Sequence, residues 1–249
     1  MGTEGDCISA TMSACTPRIG IWAALLSVLF AACFNIVALA ANFTMLIPAI
    51  WVNPLSFAPS LLWAWSHLVV NDGSDINTNA HLMTQDAGVP RFRESRGHSY
   101  GVDIVKLDAL GLRARGVLTA DPKAYAIYGA RVLAPCAGRI VLAVDGLPDL
   151  PVPAMDRVLM AGNHVLLRCA EADVLIGHMS PGSVHLRVGD VVATGVWLGA
   201  VGNSSNTGEP HLHVHAQRPG SAGAPIGGGP LPIMFNGHFL VRGDRIGSP

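Results

Sequence analysis

Residues 209–216 read Glu-Pro-His-Leu-His-Val-His-Ala, with a histidine at every second position. Successive side chains of a β-strand point to opposite faces, so a strand here presents His211, His213 and His215 on one face. Imidazole is the commonest metal ligand in proteins and transfers protons near neutral pH. The stretch therefore predicts a strand that carries chemistry. The simpler interpretation is an exposed strand that is merely rich in histidine.

The sequence around this strand predicts a mainly β fold. Short apolar runs rich in Val, Ile and Leu alternate with Gly, Asp, Asn and Pro, for example at residues 139–144, 164–169, 174–177, 190–193 and 196–201. Such runs are typical of antiparallel strands in a β-sheet or sandwich. We expect residues 66–70 to form the strand that enters this domain and residues 239–241 to form its last strand.

Charge divides the 249-residue chain into two parts. The net charge of −1 leaves no basic surface for nucleic acid. No Asp, Glu, Lys or Arg occurs from Ile19 to Asn71. Residues 19–41 of this run are almost wholly apolar, free of proline and long enough to span a bilayer as a helix. We therefore expect four regions: a short segment at 1–18, a transmembrane anchor or signal peptide at 19–41, an apolar proline-containing linker at 42–65, and a β domain at 66–243.

The nature of the segment at 19–41 decides the location of the β domain. An uncleaved anchor is favoured over a signal peptide because the apolar run exceeds a usual signal core and follows Glu4 and Asp6. With an anchor, the β domain is membrane-bound outside the cytoplasm; with a cleaved signal, it is secreted. A second span at 45–70 is the alternative to a linker, although three prolines interrupt it.

Two cysteines lie in the β domain, Cys136 and Cys169. We expect them to be free and buried. A disulfide between them in an oxidising compartment is the alternative.

Further candidate ligands lie upstream of the histidine-rich strand. Residues 79–81 read Asn-Ala-His, residues 96–103 read Arg-Gly-His-Ser-Tyr-Gly-Val-Asp, and residues 174–178 read Val-Leu-Ile-Gly-His. An upstream His, a Gly-x-Asp, a strand ending in His and then a His-x-His follow one another in this order. Over residues 76–217 this pattern resembles peptidase family M23, the LytM and lysostaphin type of zinc peptidase.

The resemblance implies one zinc ion per domain. Asp103, His213 and one upstream histidine would be its ligands, and His178 and His211 would be catalytic. Three protein ligands with a fourth position for water are typical of catalytic zinc. The His-x-His motif itself contains no Glu that could act as the base, so the proton transfers fall to the two histidines.

The third ligand has two candidates, His81 and His98. His98 lies five residues before Asp103, and a regular strand would point the two side chains to opposite faces unless a bulge at Gly101 corrected them. His81 is favoured because Asn-x-His before a longer insertion resembles one subgroup of the family. His98 would then be a neighbour of the metal or a substrate contact. His215 is expected to be a supporting neighbour of a ligand or a packing residue.

The resemblance implies a zinc metalloendopeptidase that cleaves peptide bonds in peptidoglycan cross-links or stem peptides at the cell envelope. The main alternative is a catalytically inactive LytM-like binding or activator domain. A biotinyl or lipoyl carrier domain is disfavoured because no lysine follows Lys123. A membrane protein with an accessory domain is disfavoured because the apolar segments carry no charge that would mark a transport path.

Overall fold

The structure, a computed structural model, describes residues 8–10, 67–72, 80–86 and 88–246. The predicted anchor or signal peptide at 19–41 and the linker at 42–65 lie outside these residues, and the domain boundaries stay predictions. Among the described residues, no helix has the length and apolar character needed to cross a membrane.

Strands dominate the described part of the chain. They are β1 (Ile8–Ala10), β2 (His67–Asn71), β3 (Val102–Lys106), β4 (Arg131–Leu133), β5 (Gly138–Val144), β6 (Asn163–Cys169), β7 (Ala172–Met179), β8 (Val191–Val192), β9 (Trp197–Ala200), β10 (Leu212–Gln217), β11 (Pro230–Leu231), β12 (Ile233–Phe235), β13 (His238–Phe239) and β14 (Arg245–Ile246). Three 3₁₀ helices accompany them: η1 (Ala80–Gln85), η2 (Pro90–Tyr100) and η3 (Pro122–Ala124).

One nine-stranded sheet forms the centre of the fold. Its strands lie in the order β14-β2-β3-β10-β7-β6-β5-β8, and β11 also pairs with β10. Every pairing in this sheet is antiparallel. Strands β4 and β9 form a separate antiparallel pair, and β1 lies parallel to β12 beside β13. The prediction of a mainly β, antiparallel fold is confirmed.

The two faces of this sheet have different roles. On one face, Val214 and Ala216 of β10 join the main core, which also contains Val132 of β4 and Leu198 of β9. The side chains of β10 alternate, so His213 and His215 lie on the opposite face. Strand β10 therefore supplies core residues to one side and imidazoles to the other.

The end of the sheet differs from the prediction at residues 239–241. Strand β13 covers only His238–Phe239, and β14 follows it and pairs with β2 through Arg245↔Leu68 and Ile246↔His67. The prediction of a last strand at 239–241 is therefore wrong. A two-residue strand that begins with arginine is too short to give an apolar pattern, which explains why β14 was missed.

Cys136 and Cys169 form a disulfide with their Cα atoms 5.9 Å apart, so the expectation of free cysteines is wrong. The pairing of β5 with β6 explains the contact, because Arg139 lies opposite Arg168. Each cysteine lies close in sequence to this pair. The register of β5 against β6 decides the proximity, and the sequence alone does not reveal that register.

Candidate metal centre

Three neighbouring strands bring the predicted site residues together. In the antiparallel register, His213 of β10 lies opposite Asp103 of β3 on one side and Gly177 of β7 on the other. His178 follows Gly177, and His211 immediately precedes β10. Asp103, His178, His211 and His213 thus meet at the middle of the sheet.

The carboxylate of Asp103 is the centre of this cluster. Its Oδ1 lies 2.9 Å from His213 Nδ1 and 3.3 Å from His211 Nε2, the second contact without hydrogen-bond geometry. Its Oδ2 lies 3.4 Å from His81 Nε2. Only 8% of Asp103 is exposed. Three imidazoles therefore surround one buried carboxylate.

Asn71 is a member of the cluster that was not predicted from the sequence. Its Nδ2 donates to Asp103 Oδ2 at 3.1 Å and lies 3.1 Å from His81 Nδ1. A register irregularity between Val69 and Asn71 places Asn71 opposite Asp103. No signal in the sequence marks this irregularity.

His98 occupies a different position from His81. It lies in η2 rather than on an extended segment, so the strand-parity argument and the bulge at Gly101 do not apply. Its Nδ1 donates to the Ser95 carbonyl at 3.1 Å. Its ring stacks on His213 with centroids 5.1 Å apart and lies 4.3 Å from the ring of His215. His81 is the upstream histidine that lies beside Asp103.

His178 is held by the loop that precedes the histidine-rich strand. Its Nδ1 donates to the Ser204 carbonyl at 3.0 Å. The Ser204 hydroxyl in turn accepts from Asn163 N–H and donates to the Met179 carbonyl. The φ of His178 is +57°, in the left-handed region that non-glycine residues seldom adopt and that clusters at functional sites. The role of the loop at 202–208 in fixing His178 was not predicted from the sequence.

His211 faces His178 across the site, with ring centroids 4.8 Å apart. Its Nδ1 lies 2.9 Å from the Glu209 carbonyl, to which it donates, and 3.1 Å from Thr207 Oγ1. Its Nε2 is therefore turned towards Asp103. The backbone just before β10 sets the orientation of this ring.

Burial and neighbouring charges shift the pKa values of these groups in different directions. Burial lowers the pKa of His81 to about 4 and that of His178 well below its usual value, so both are neutral at pH 7. Burial alone would lower the pKa of His211, but Asp103 and Glu209 outweigh it and raise that pKa. Burial likewise opposes ionisation of Asp103, yet the charges of His81 and His211 hold its pKa well below the usual range.

His215, His164 and His185 contact groups other than Asp103. His215 is fully buried, with Nδ1 3.0 Å from His213 Nε2. His164 Nδ1 donates to the Gly162 carbonyl, and His185 packs edge-on against Trp197.

The donor set at Asp103 fits a zinc ion. Ligand atoms of His81, Asp103 and His213 lie within 4.8 Å of one another. Zinc requires neutral imidazoles and an ionised carboxylate, and the pKa shifts of His81 and Asp103 favour those forms. Two further sets share His213, one with His178 and His211 and one with His98 and His215.

A comparison with models of protein families gives a match to part of the chain. Residues 123–225 match the model of peptidase family M23. The M23 match contains His178, His211 and His213, whereas His81 and Asp103 precede it. The resemblance inferred from the sequence is confirmed.

Solved structures of M23 peptidases resemble part of the chain. Lysostaphin from Staphylococcus simulans is 20% identical over 51% of this chain and 40% of its own, with a TM-score of 0.33. The catalytic domain of the M23 protein EnpA from Enterococcus faecalis, as its A109H mutant, is 20% identical over 48% of this chain and 68% of its own, with a TM-score of 0.30. A zinc-containing peptidase from Vibrio cholerae is 15% identical over 47% of this chain and 46% of its own, with a TM-score of 0.29. The chain thus spans less than half the length of complete lysostaphin, and no curated protein sequence matches it.

Proposed function

We propose that this protein is a zinc-dependent endopeptidase that hydrolyses peptide bonds in peptidoglycan cross-links or stem peptides. One observation carries the proposal: the buried Asp103 carboxylate has nitrogen atoms of His81, His211 and His213 within 3.4 Å. Such a convergence of imidazoles on a buried carboxylate is costly without a ligand, and it matches the donors of catalytic zinc.

His81, Asp103 and His213 would hold the metal, with His98 as the alternative to His81. Bound there, zinc would polarise the scissile carbonyl and acidify a water molecule. Asn71 orients the carboxylate through its hydrogen bond to Asp103 Oδ2. Oriented outer partners of this kind are expected around metal ligands.

His178 and His211 share the proton transfers. Each donates its Nδ1–H to a backbone carbonyl, of Ser204 and Glu209 respectively, so each presents Nε2 to the site. His178 Nε2 accepts the proton of the attacking water. His211 Nε2 lies beside the Asp103 carboxylate, whose negative charge stabilises a proton on that nitrogen. The protonated His211 then stabilises the oxyanion and donates its proton to the leaving amine.

The substrate class rests on the family. The match to the M23 family model supports a peptide substrate, and the sequence pattern that resembles lysostaphin-type enzymes supports peptidoglycan peptides. The Cys136–Cys169 disulfide supports a location outside the cytoplasm, where such bonds persist. Attachment to a membrane through residues 19–41 is part of the same proposal.

The proposal is tested with the full chain purified in detergent. Zinc content is measured first, and release of peptide fragments from purified peptidoglycan is then followed by mass spectrometry. We expect one zinc per chain, cleavage that a chelator abolishes, and recovery of cleavage when zinc is returned. Bound zinc without cleavage of any peptidoglycan would instead identify an inactive binding or activator domain.

A further inference from the structure

The proposed function assigns no role to His215 of the histidine-rich strand. Its Nδ1 lies 3.0 Å from His213 Nε2, and His213 Nδ1 lies 2.9 Å from Asp103 Oδ1. Both residues are fully buried. We infer that His215 is a positioning residue that holds His213 in the tautomer whose Nδ1 lone pair faces the metal. This inference rests on the proposed function.

Without a metal, only the Asp103 carboxylate faces His213 Nδ1, and the ring protons of His213 and His215 then have one consistent arrangement. A neutral imidazole carries a single N–H. His213 then donates from Nδ1 to Asp103 and accepts at Nε2 from the Nδ1–H of His215. This leaves the His215 Nε2 lone pair, which is buried and has no hydrogen-bond partner.

A cation beside Asp103 requires the opposite arrangement. The metal needs the lone pair of His213 Nδ1, so the proton of that ring moves to Nε2 and is donated to His215 Nδ1. His215 then carries its own proton on Nε2. Both rings stay neutral and no proton is gained or lost, because one proton in each ring moves from Nδ1 to Nε2.

Gln217 provides an acceptor for the relocated proton of His215. It lies two residues further along β10 on the same face, fully buried. Its Nε2 donates to the Pro225 carbonyl, while its Oε1 is buried with no hydrogen-bond partner. The series of side chains Asp103, His213, His215 and Gln217 therefore ends in an unused acceptor, the Oε1 of Gln217.

A second metal site formed by His98, His213 and His215 is the competing interpretation of the same cluster. It would require His213 to bind one metal through Nδ1 and another through Nε2, and so to lose its only proton. The 3.0 Å separation of His213 Nε2 and His215 Nδ1 is instead that of a hydrogen bond. The geometry thus favours the coupled shift of one proton in His213 and one in His215 from Nδ1 to Nε2, which is called the tautomer relay below.

Two matched variants of the full chain test the relay. His215→Asn retains a side-chain acceptor near the position of Nδ1, whereas His215→Leu has a similar volume and no acceptor. Loss of an outer partner of a ligating histidine costs about 10- to 100-fold in metal affinity. We expect that loss of zinc affinity in His215→Leu and affinity close to wild type in His215→Asn. His164→Asn, a buried histidine outside the relay, serves as the control and should bind zinc like the wild type.

A spectroscopic readout separates the relay from simple packing. Long-range ¹H–¹⁵N spectra of histidine-labelled protein report which ring nitrogen carries the proton. With chelator we expect Nδ1–H on His213 and His215, and with zinc we expect Nε2–H on both.

Three outcomes would overturn the inference and differ from one another. Unchanged zinc affinity in His215→Leu, or unchanged tautomers with zinc, overturns the relay and leaves the proposed function standing. Two zinc ions per wild-type chain, one of which is lost in His98→Asn, would show a second metal site in place of the relay. A wild-type protein that binds no zinc overturns the proposed function and the relay together, before any substitution is made.

Discussion

The carboxylate of Asp103 lies 2.9 Å from the Nδ1 of His213, although 110 positions separate the two residues in the chain. The pairing of β3 with β10 creates this contact, since Asp103 and His213 are direct partners in the antiparallel register. The sheet that forms the core of the fold therefore also sets the position of the proposed ligands.

Replacing Asp103 by asparagine should abolish tight zinc binding. The substitution keeps the size of the side chain and removes the negative charge that His81, His211 and His213 surround. Since this is a proposed ligand, the loss of affinity should exceed the roughly 10- to 100-fold that an outer partner costs. Competition with a chromophoric chelator measures it.

Glu171→Gln is the charge-matched control for Asp103→Asn. Glu171 is exposed in the turn between β6 and β7, so its substitution removes one carboxylate far from the cluster in sequence. It should bind zinc like the wild type. Equal zinc affinity in the two variants would contradict the role assigned to Asp103.

His178→Asn should separate catalysis from metal binding. Asparagine tolerates the left-handed backbone of position 178 better than alanine, so the fold is retained. Loss of a positioned general base typically costs about 10²- to 10⁴-fold in rate. We expect kcat to fall within this range while zinc content stays at the wild-type value. A variant that loses zinc together with activity would instead make His178 a ligand.

Local patterns in the sequence were sufficient for much of this site. Alternation over residues 211–215 predicted a strand with its imidazoles on one face, because strand periodicity depends only on neighbouring residues. Strand β10 carries His213 and His215 in this way, but it begins at Leu212, so His211 lies just before it. The apolar runs before His178 and after Asp103 likewise correspond to β7 and β3.

Features that depend on pairing between distant segments could not be predicted. Asn71 meets Asp103 only because the register of β2 shifts after Val69. The disulfide depends on how β5 aligns with β6. The expectation that His98 and Asp103 point to opposite faces assumed an extended backbone, whereas residues 90–100 form a 3₁₀ helix.

Acid should destabilise the metal-free protein over the range from pH 6.5 to 4. Burial lowers the pKa of His81 to about 4, and it also lowers the pKa values of His98, His164 and His178. In this range the unfolded chain binds more protons than the folded chain, so the free energy of unfolding falls as the pH falls. His81 alone would account for roughly 3 kcal/mol by pH 4.

Asp103 and His211 do not reverse this trend. The lowered pKa of Asp103 stabilises the fold throughout this range and is lost only at lower pH. The raised pKa of His211 contributes fully below pH 6.5. Urea unfolding at several pH values, in the presence of chelator, measures the effect. The slope should be shallower in His81→Asn, and a flat profile in the wild type would refute the prediction.

Removing the disulfide should lower stability without removing the active site. Cys136 and Cys169 close a loop with a sequence separation of 33, for which the chain-entropy estimate is roughly 3 to 4 kcal/mol. The double substitution of both cysteines by alanine should lower the free energy of unfolding by about this amount and leave zinc affinity unchanged. A reducing agent should destabilise the wild type and have no further effect on the double variant.

Gly101→Ala should damage the metal centre because there is no room for a methyl group at this position. A Cβ there would lie 2.6 Å from His213 Cε1 and 2.9 Å from the His98 carbonyl oxygen. Both neighbours are buried, so the ring of His213 would have to move away from Asp103. Gly223→Ala is the matched control, because a Cβ at Gly223 meets nothing within 4 Å. We expect weaker zinc binding and a lower midpoint of thermal unfolding in Gly101→Ala alone; equal values for the two variants would show that the ring of His213 adapts without cost.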